Sequence, residues 1–119
     1  MELLTKDQIM KADDLPFRDI DVPEWGGSVR VRTMTGGERD AFEAQIYDAD
    51  SNGVRLNREN FRAKLLSKVL VDGAGTRLFS DKEILLLSGK SSKAIQRLLD
   101  AAQELNGISG AEQEAVEKK

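Results

Sequence analysis

The sequence predicts an α+β fold in which a small N-terminal β-hairpin is followed by about four α-helices, so that the chain is mainly helical. Two kinds of pattern lead to this prediction. Between residues 17 and 33, apolar residues alternate with charged ones, which is typical of half-buried strands. From residue 35 onward, apolar residues recur every three to four positions behind Thr or Ser capping signals, which is typical of amphipathic helices.

A short helix is predicted ahead of the hairpin, over residues 5–12. Thr5 and Gln8 have the spacing of a capping box, in which the two side chains bind free backbone N–H groups at the start of a helix. The Asp-Asp-Leu-Pro segment that follows, residues 13–16, is typical of a turn. We therefore expect the helix to end there.

The predicted hairpin joins strands over residues 17–22 and 28–33. The link between them, residues 23–27, contains a proline, which restricts the backbone, and two glycines, which free it. Asp19 and Asp21 are expected to face Arg30 and Arg32 on the other strand, and each such pair contributes about 0.2–1 kcal/mol. Because a two-stranded ribbon is only marginally stable in water, the hairpin must lie on the helices or pair with strands of another subunit.

Two helices are predicted in the middle of the chain. Thr35 and Glu38 form a second capping-box pattern, which opens a helix that runs to about Tyr47. The polar residues 48–53 are expected to form a loop, and Asn57 is expected to cap the next helix. That helix carries an apolar stripe that we expect in the core, made up of Phe61, Leu65, Leu66, Val69 and Leu70.

Two more helices are predicted towards the C-terminus. Ser80 and Glu83 form a third capping-box pattern before a short helix that contains residues 84–87 and ends at Gly89. A longer helix begins at Ser91 or Ser92 and ends at residues 106–107. Residues 109–119 contain few apolar side chains, so we expect a mobile tail on a single domain that spans residues 1–119. The longer helix carries a second stripe expected in the core, made up of Ile95, Leu98, Leu99, Ala102 and Leu105.

Charge and hydropathy argue against several classes of function. The 119 residues include 18 basic and 21 acidic ones, a net charge of -3, so the excess of positive charge that nucleic-acid binding normally requires is absent. No apolar run approaches the roughly 20 residues that cross a bilayer, and the N-terminus does not resemble a signal peptide. We therefore expect a soluble cytoplasmic protein whose partner is neither nucleic acid nor membrane.

The sequence contains no histidine and no cysteine. Ser-His-Asp and Cys-His catalysis and most zinc sites are therefore unavailable. The acidic residues are expected on solvated helix faces and in loops, and not as a pair that performs acid-base catalysis. We predict no enzymatic activity, no catalytic residue, no cofactor and no metal site.

One segment raises an alternative function. Residues 48–59 match the calcium-loop pattern of EF-hands, with acidic or amide side chains at the first, third and fifth positions, Gly53 at the sixth and Glu59 at the twelfth. However, Arg55 occupies the eighth position, which is normally aliphatic, and no second loop follows. A calcium-binding, EF-hand-like regulatory module is thus the alternative function, although we expect the loop not to bind calcium.

Apolar residues outside the two predicted core stripes are the candidates for binding a protein partner. Trp25, the single tryptophan, lies in the turn of the hairpin. It either covers the core or anchors a partner, since tryptophan is enriched among interface hot spots. The leucine-rich segment 84–87 is the other candidate. We predict partner contacts at Trp25, Ile84, Leu86 and Leu87.

Several stretches of the sequence resemble one protein family, the tail assembly chaperones of long-tailed phages and prophages. The most distinctive stretches lie between residues 22 and 43. They are VPEWGGSVRVR at 22–32 and TGGERDAFE at 35–43. KADDL at 11–15, RLFS at 77–80 and LNGIS at 105–109 agree with it. The resemblance spans nearly the whole chain and is weakest over residues 48–57.

This resemblance implies a protein that acts in the bacterial cytoplasm during tail assembly and is absent from the finished particle. Such proteins are thought to coat the tape measure protein and to bring tail tube subunits to it, the latter through a longer form made by ribosomal frameshifting. The free edge of the hairpin also predicts self-association, by pairing with another subunit. A DNA-binding regulator is a further alternative, which the lack of a basic face disfavours. The resemblance assigns no role to an individual residue.

Overall fold

A computed structural model of the protein describes residues 2–107, which contain five α-helices and five strands. The α+β, mainly helical fold class is confirmed. The predicted mobile tail, residues 109–119, lies outside the described residues. In chain order the elements are α1 (Lys6–Lys11), β1 (Phe17–Val22), β2 (Gly27–Arg32), α2 (Gly36–Ile46), β3 (Tyr47–Asp50), β4 (Gly53–Leu56), α3 (Phe61–Val69), β5 (Leu70–Val71), α4 (Ile84–Ser88) and α5 (Ser92–Asn106).

The predicted N-terminal hairpin is formed by β1 and β2, which pair antiparallel. Its turn is a short 3-10 helix, Pro23–Trp25, followed by Gly26 in the left-handed conformation that glycine adopts most readily. Asp19 lies opposite Arg30 and accepts two hydrogen bonds from its guanidinium, at 2.8 and 3.1 Å. Asp21 lies opposite Ser28 instead of an arginine, because the register places Arg32 opposite the first residue of β1.

A third strand completes the sheet, whose order is β1-β2-β5. Strand β5 contains only Leu70 and Val71, which pair with β2 directly after α3 ends. The predicted need for support of the hairpin is therefore met within the chain. The sequence did not indicate β5, because two apolar residues continue the helical stripe of α3 without a change of period.

The segment predicted as a polar loop is a second hairpin, formed by β3 and β4. Asp50 pairs with Gly53 across the turn, and its carboxylate accepts a hydrogen bond from the backbone N–H of Asn52 at 2.8 Å. The prediction of Asn57 as a helix cap is also wrong. Helix α3 begins later, after Asn60, which has a positive φ of 54°.

The core lies around α3, which packs against α2, α4 and α5. Phe42 of α2 and Phe61 of α3 meet edge to face, with ring centroids 5.5 Å apart. Both predicted core stripes are confirmed. Every member of the first stripe is buried, and in the second stripe only Leu105 is partly exposed. Two charged contacts fix the hairpin to α5: Arg18 pairs with Glu104, and Arg97 pairs with Glu24 at 3.0 Å.

The three predicted capping boxes all form. One, between Thr35 and Glu38, opens α2. Another, between Ser80 and Glu83, opens the 3-10 turn Asp81–Glu83 that leads into α4. The third opens α1, a helix with no buried residue. Within residues 2–107, no helix has the length and apolarity needed to cross a membrane.

Candidate partner-binding surface

Helix α4 presents two leucines to solvent while it buries a third. Leu87 is 1% exposed and packs in the core, and Ile84 packs against the core while partly exposed. Leu85 and Leu86 are 70% and 61% exposed. The leucine-rich segment therefore divides into core residues and an exposed pair, Leu85 and Leu86, which we call the leucine pair.

The leucine pair lies on a helix whose start is held by charged contacts. The buried ammonium of Lys68 donates to Asp81, in the 3-10 turn before α4, at 2.8 Å. Arg77 also donates to Asp81, at 2.8 Å, and to the backbone carbonyl of Ser67. These contacts tie the turn to α3, so α4 and its leucine pair have a defined position on the core.

The same contacts determine the ionisation of Asp81. Hydrogen bonds from Lys68 and then from Arg77 hold the pKa of the Asp81 carboxyl below its usual value. Lys68 has a second acceptor, the side-chain oxygen of Gln45, at 2.7 Å. The carboxylate is therefore the charged partner of a cation inside the protein, and its role in this arrangement is structural.

Trp25 lies at the end of the 3-10 turn of the first hairpin and is half-buried against the core. The neighbouring Glu24 accepts two hydrogen bonds from Arg97 of α5, at 3.0 and 3.2 Å. The two predicted contact regions are thus anchored to different elements. Trp25 is held beside β2 and α5, whereas the leucine pair is held beside α3.

Sequence reasoning missed an exposed apolar group near the N-terminus. Leu3, Leu4, Ile9 and Met10 are each more than half exposed. These four residues lie close together in the sequence, and a contiguous exposed apolar patch is a feature of interaction surfaces. The signal was present in the sequence, because two apolar pairs flank the capping box of a helix too short to bury them.

A cleft of about 190 Å³ lies between the N-terminal ends of α3 and α5 and the end of α4. Phe61, Leu87 and Ile95 form its apolar part, and Ser88 and Lys90 lie at its polar side. This volume is below the roughly 300–1,000 Å³ typical of small-molecule sites.

The segment with the calcium-loop pattern has a geometry unlike that of an EF-hand. The two oxygens of Asp50 accept hydrogen bonds from Asn52 and from the guanidinium of Arg55, the latter at 2.8 Å. Asp48 lies opposite Arg55 in the hairpin. Within residues 2–107, no group of three or more His, Cys, Asp or Glu side chains is placed to hold a metal ion.

Comparisons with known proteins show a matching family and a similar fold. The sequence model of the family described as phage tail assembly chaperone matches residues 5–119. Among solved structures, the fold is similar to that of the bacteriophage HK97 tail assembly chaperone, with a TM-score of 0.59 and 21% sequence identity. The similarity covers 87% of this chain and 94% of the HK97 chain, and at this identity it is evidence of the fold alone. No curated protein matches the sequence.

Proposed function

The chain belongs to the phage tail assembly chaperone family, and on this basis we propose that it binds the tape measure protein and helps to recruit tail tube subunits during tail assembly. It acts in the host cytoplasm, catalyses no reaction and is absent from the finished particle. The observation that carries the proposal is the leucine pair, whose two side chains are more than half exposed on a helix of fixed position.

The leucine pair suits an elongated helical partner. An amphipathic helix binds a protein by placing its apolar side chains into an apolar groove. Leu85 and Leu86 are exposed apolar residues that directly precede Leu87, which lines the cleft. Burial of one such leucine contributes about 1.5–3 kcal/mol, so a few contacts of this kind support the reversible binding that a chaperone requires.

Trp25 forms a second contact region in this proposal. Its ring is already packed against the core, so little side-chain freedom is lost when a partner covers its exposed part. Recruitment of tail tube subunits belongs to a longer, frameshifted form of the chain, which carries residues beyond those of the present sequence.

The test is co-expression with the tape measure protein of the same phage or prophage. The wild-type chain should keep that protein soluble and co-purify with it. Leu86→Asp should lower the co-purified amount about tenfold or more, as expected when a buried leucine contact of about 1.5–3 kcal/mol is lost. Trp25→Ala should lower it less.

Val54→Asp is the matched control, since Val54 is an exposed apolar residue on β4, in the other sheet. It should leave co-purification unchanged. Circular dichroism and thermal melting should show that all three variants are folded. A tape measure protein that stays insoluble beside the wild-type chain, or that binds folded Leu86→Asp and Trp25→Ala normally, contradicts the proposal.

A further inference from the structure

Strand β1 has one paired edge and one open edge. The backbone N–H of Thr33 donates to the carbonyl of Pro16 at 3.0 Å, just before β1 begins. Because hydrogen-bonded pairs alternate along antiparallel strands, the even-numbered residues of β1 bond to β2. The odd-numbered residues, Phe17, Asp19 and Asp21, direct their N–H and C=O groups to the other side.

Nothing in the described part of the chain pairs with this outer edge. The sheet order is β1-β2-β5, so β1 is the terminal strand, and its odd-numbered residues are exposed. Helix α5 packs on the sheet and is joined to the face of β1 that bears Arg18. Six backbone groups in a regular row are therefore available to another strand.

The charge of Asp21 favours a basic residue in the partner strand. Residues directly opposite each other on neighbouring strands interact through their side chains, and opposite charges stabilise the pair. The hairpin already follows this rule, because Asp19 lies opposite Arg30. Asp21 faces the uncharged Ser28, whose hydroxyl donates to it at 2.6 Å. Its carboxylate has no cationic partner among the described residues.

The same charge disfavours a second copy of the chain as the occupant. An antiparallel pair of β1 strands that uses all three outward residues must place Asp19 opposite Asp19 of the other copy. Phe17 then lies opposite Asp21 on each side. Asp19 is already paired with Arg30 in each copy, so this register brings no new opposite charges together, whereas a strand with a basic residue opposite Asp21 gains one such pair.

We propose that the outer edge of β1 binds an extended segment of another protein by strand addition, and that this segment carries Lys or Arg in alternation with apolar residues. The backbone groups of Phe17, Asp19 and Asp21 supply the hydrogen bonds, and a basic side chain opposite Asp21 supplies selectivity, since Asp19 is already paired with Arg30. This binding uses a surface distinct from the leucine pair and does not depend on the identity of the protein bound there.

The test uses a synthetic peptide with the sequence Thr-Val-Lys-Val-Lys-Val-Thr, blocked at both ends, and the isotope-labelled full chain. In nuclear magnetic resonance titrations up to millimolar peptide, the amide signals of Phe17, Asp19 and Asp21 should shift saturably. Their hydrogen exchange should slow by tenfold or more at saturation. A peptide with Glu in place of Lys, and one with N-methylated backbone groups on its bonding edge, should cause neither change.

Asp21→Lys should weaken binding of the lysine peptide about threefold or more, because a favourable cross-strand pair becomes a repulsive one. Asp48→Lys makes the same charge change in the β3–β4 hairpin and should have no effect. The proposal is overturned if no shifts occur at millimolar peptide, if both peptides bind equally, or if Asp21→Lys binds as well as the wild type. Protection of the same three amides in the free chain, rising with its concentration, would assign the edge to a second copy and also overturn it.

Discussion

Lys68 lies within the apolar face of α3 and is 1% exposed, yet it carries a charge. Its ammonium donates to Asp81 and Gln45, at 2.8 and 2.7 Å. Removal of the partner of a buried charge destabilises a protein, whereas replacement of the charged group by an apolar one of similar volume is often nearly neutral. The two ends of this contact should therefore respond differently to substitution.

Asp81→Ala should lower the free energy of unfolding by about 1–3 kcal/mol, because the buried ammonium of Lys68 loses its anionic acceptor. The value lies below that of a fully buried pair, since the side chain of Asp81 is 49% exposed and Gln45 still accepts. Lys68→Met, which keeps the volume and removes the charge, should change stability by less than about 1 kcal/mol. Urea denaturation of both variants measures the difference, and an equal loss in the two would contradict this account.

Asp81 also predicts a pH dependence of stability. Its pKa is lowered in the folded state by Lys68 and Arg77, so folding favours the ionised carboxylate. The resulting stabilisation is fully present above the unfolded value of about 3.9 and is lost as the pH falls through the lower folded pKa. The difference in unfolding free energy between wild type and Asp81→Asn should therefore be constant near neutral pH and shrink below about pH 4. A difference that grows on acidification would contradict it.

The Lys68–Asp81 contact also marks a limit of sequence reasoning at this scale. The period of the α3 stripe identifies Leu65, Leu66 and Val69 as core residues, and all three are buried. The period cannot identify Lys68 as a buried residue, because a lysine is buried only where another residue pairs with its charge. That partner lies in a 3-10 turn that the helical period does not predict.

At the scale of elements, local signals predicted most of the fold. The three capping boxes predicted helix starts, and the period-two alternation predicted β1 and β2. The second hairpin was missed although Tyr47–Asp50 and Val54–Leu56 alternate apolar with polar side chains, because each strand has only four residues and the Asp, Asn and Gly residues between them were interpreted as a helix-to-helix loop. Its pairing depends on the turn at Asp50 and Gly53 and on cross-strand contacts.

The second hairpin predicts that residues 48–59 do not bind calcium. Asp50 already accepts hydrogen bonds from Asn52 and Arg55, and a calcium ion would have to displace a guanidinium to reach it. Millimolar calcium should leave the amide signals of Asp50, Gly53 and Glu59 in place, with magnesium as the control. Saturable shifts at micromolar calcium would support the calcium-binding alternative.

In the candidate site, the sequence of α4 could not predict which of its leucines are exposed. Helix α4 has five residues, and four consecutive ones are apolar. A helix this short completes little more than one turn, so its sequence period cannot separate the buried Leu87 from the exposed Leu85 and Leu86. Their orientation is set by the anchor at Asp81 and by packing against α3, both of which are long-range contacts.

At the scale of the whole molecule, the described core ends with α5. Leu105 packs against it, and the helix then ends at Gly107, which has a positive φ of 57°. Residues 109–119 offer few apolar side chains to offset an ordering cost of about 1–2 kcal/mol per residue. A chain that ends at Gly107 should therefore melt within a few degrees of the full chain in calorimetry. A much larger decrease would mean that the final residues stabilise the fold.

The distribution of apolar residues over the molecule also predicts that substitutions at two adjacent positions have different effects, one on stability and the other on partner binding. Leu87 is 1% exposed and Leu86 is 61% exposed. Leu87→Ala should lower the free energy of unfolding by about 2–5 kcal/mol, because it leaves a cavity between α4 and α3. Leu86→Ala should change it by less than about 0.5 kcal/mol, as is usual for a surface substitution.

Binding should show the reverse order, measured as the amount of co-purified tape measure protein per folded chaperone. Leu86→Ala removes a contact side chain and should reduce this ratio several-fold. Leu87→Ala should reduce the amount of folded chaperone while the ratio for the folded fraction changes less, because its side chain does not reach the surface. If Leu86→Ala binds normally and Leu87→Ala alone reduces the ratio, the leucine pair is not the contact, and the cleft lined by Leu87 takes its place.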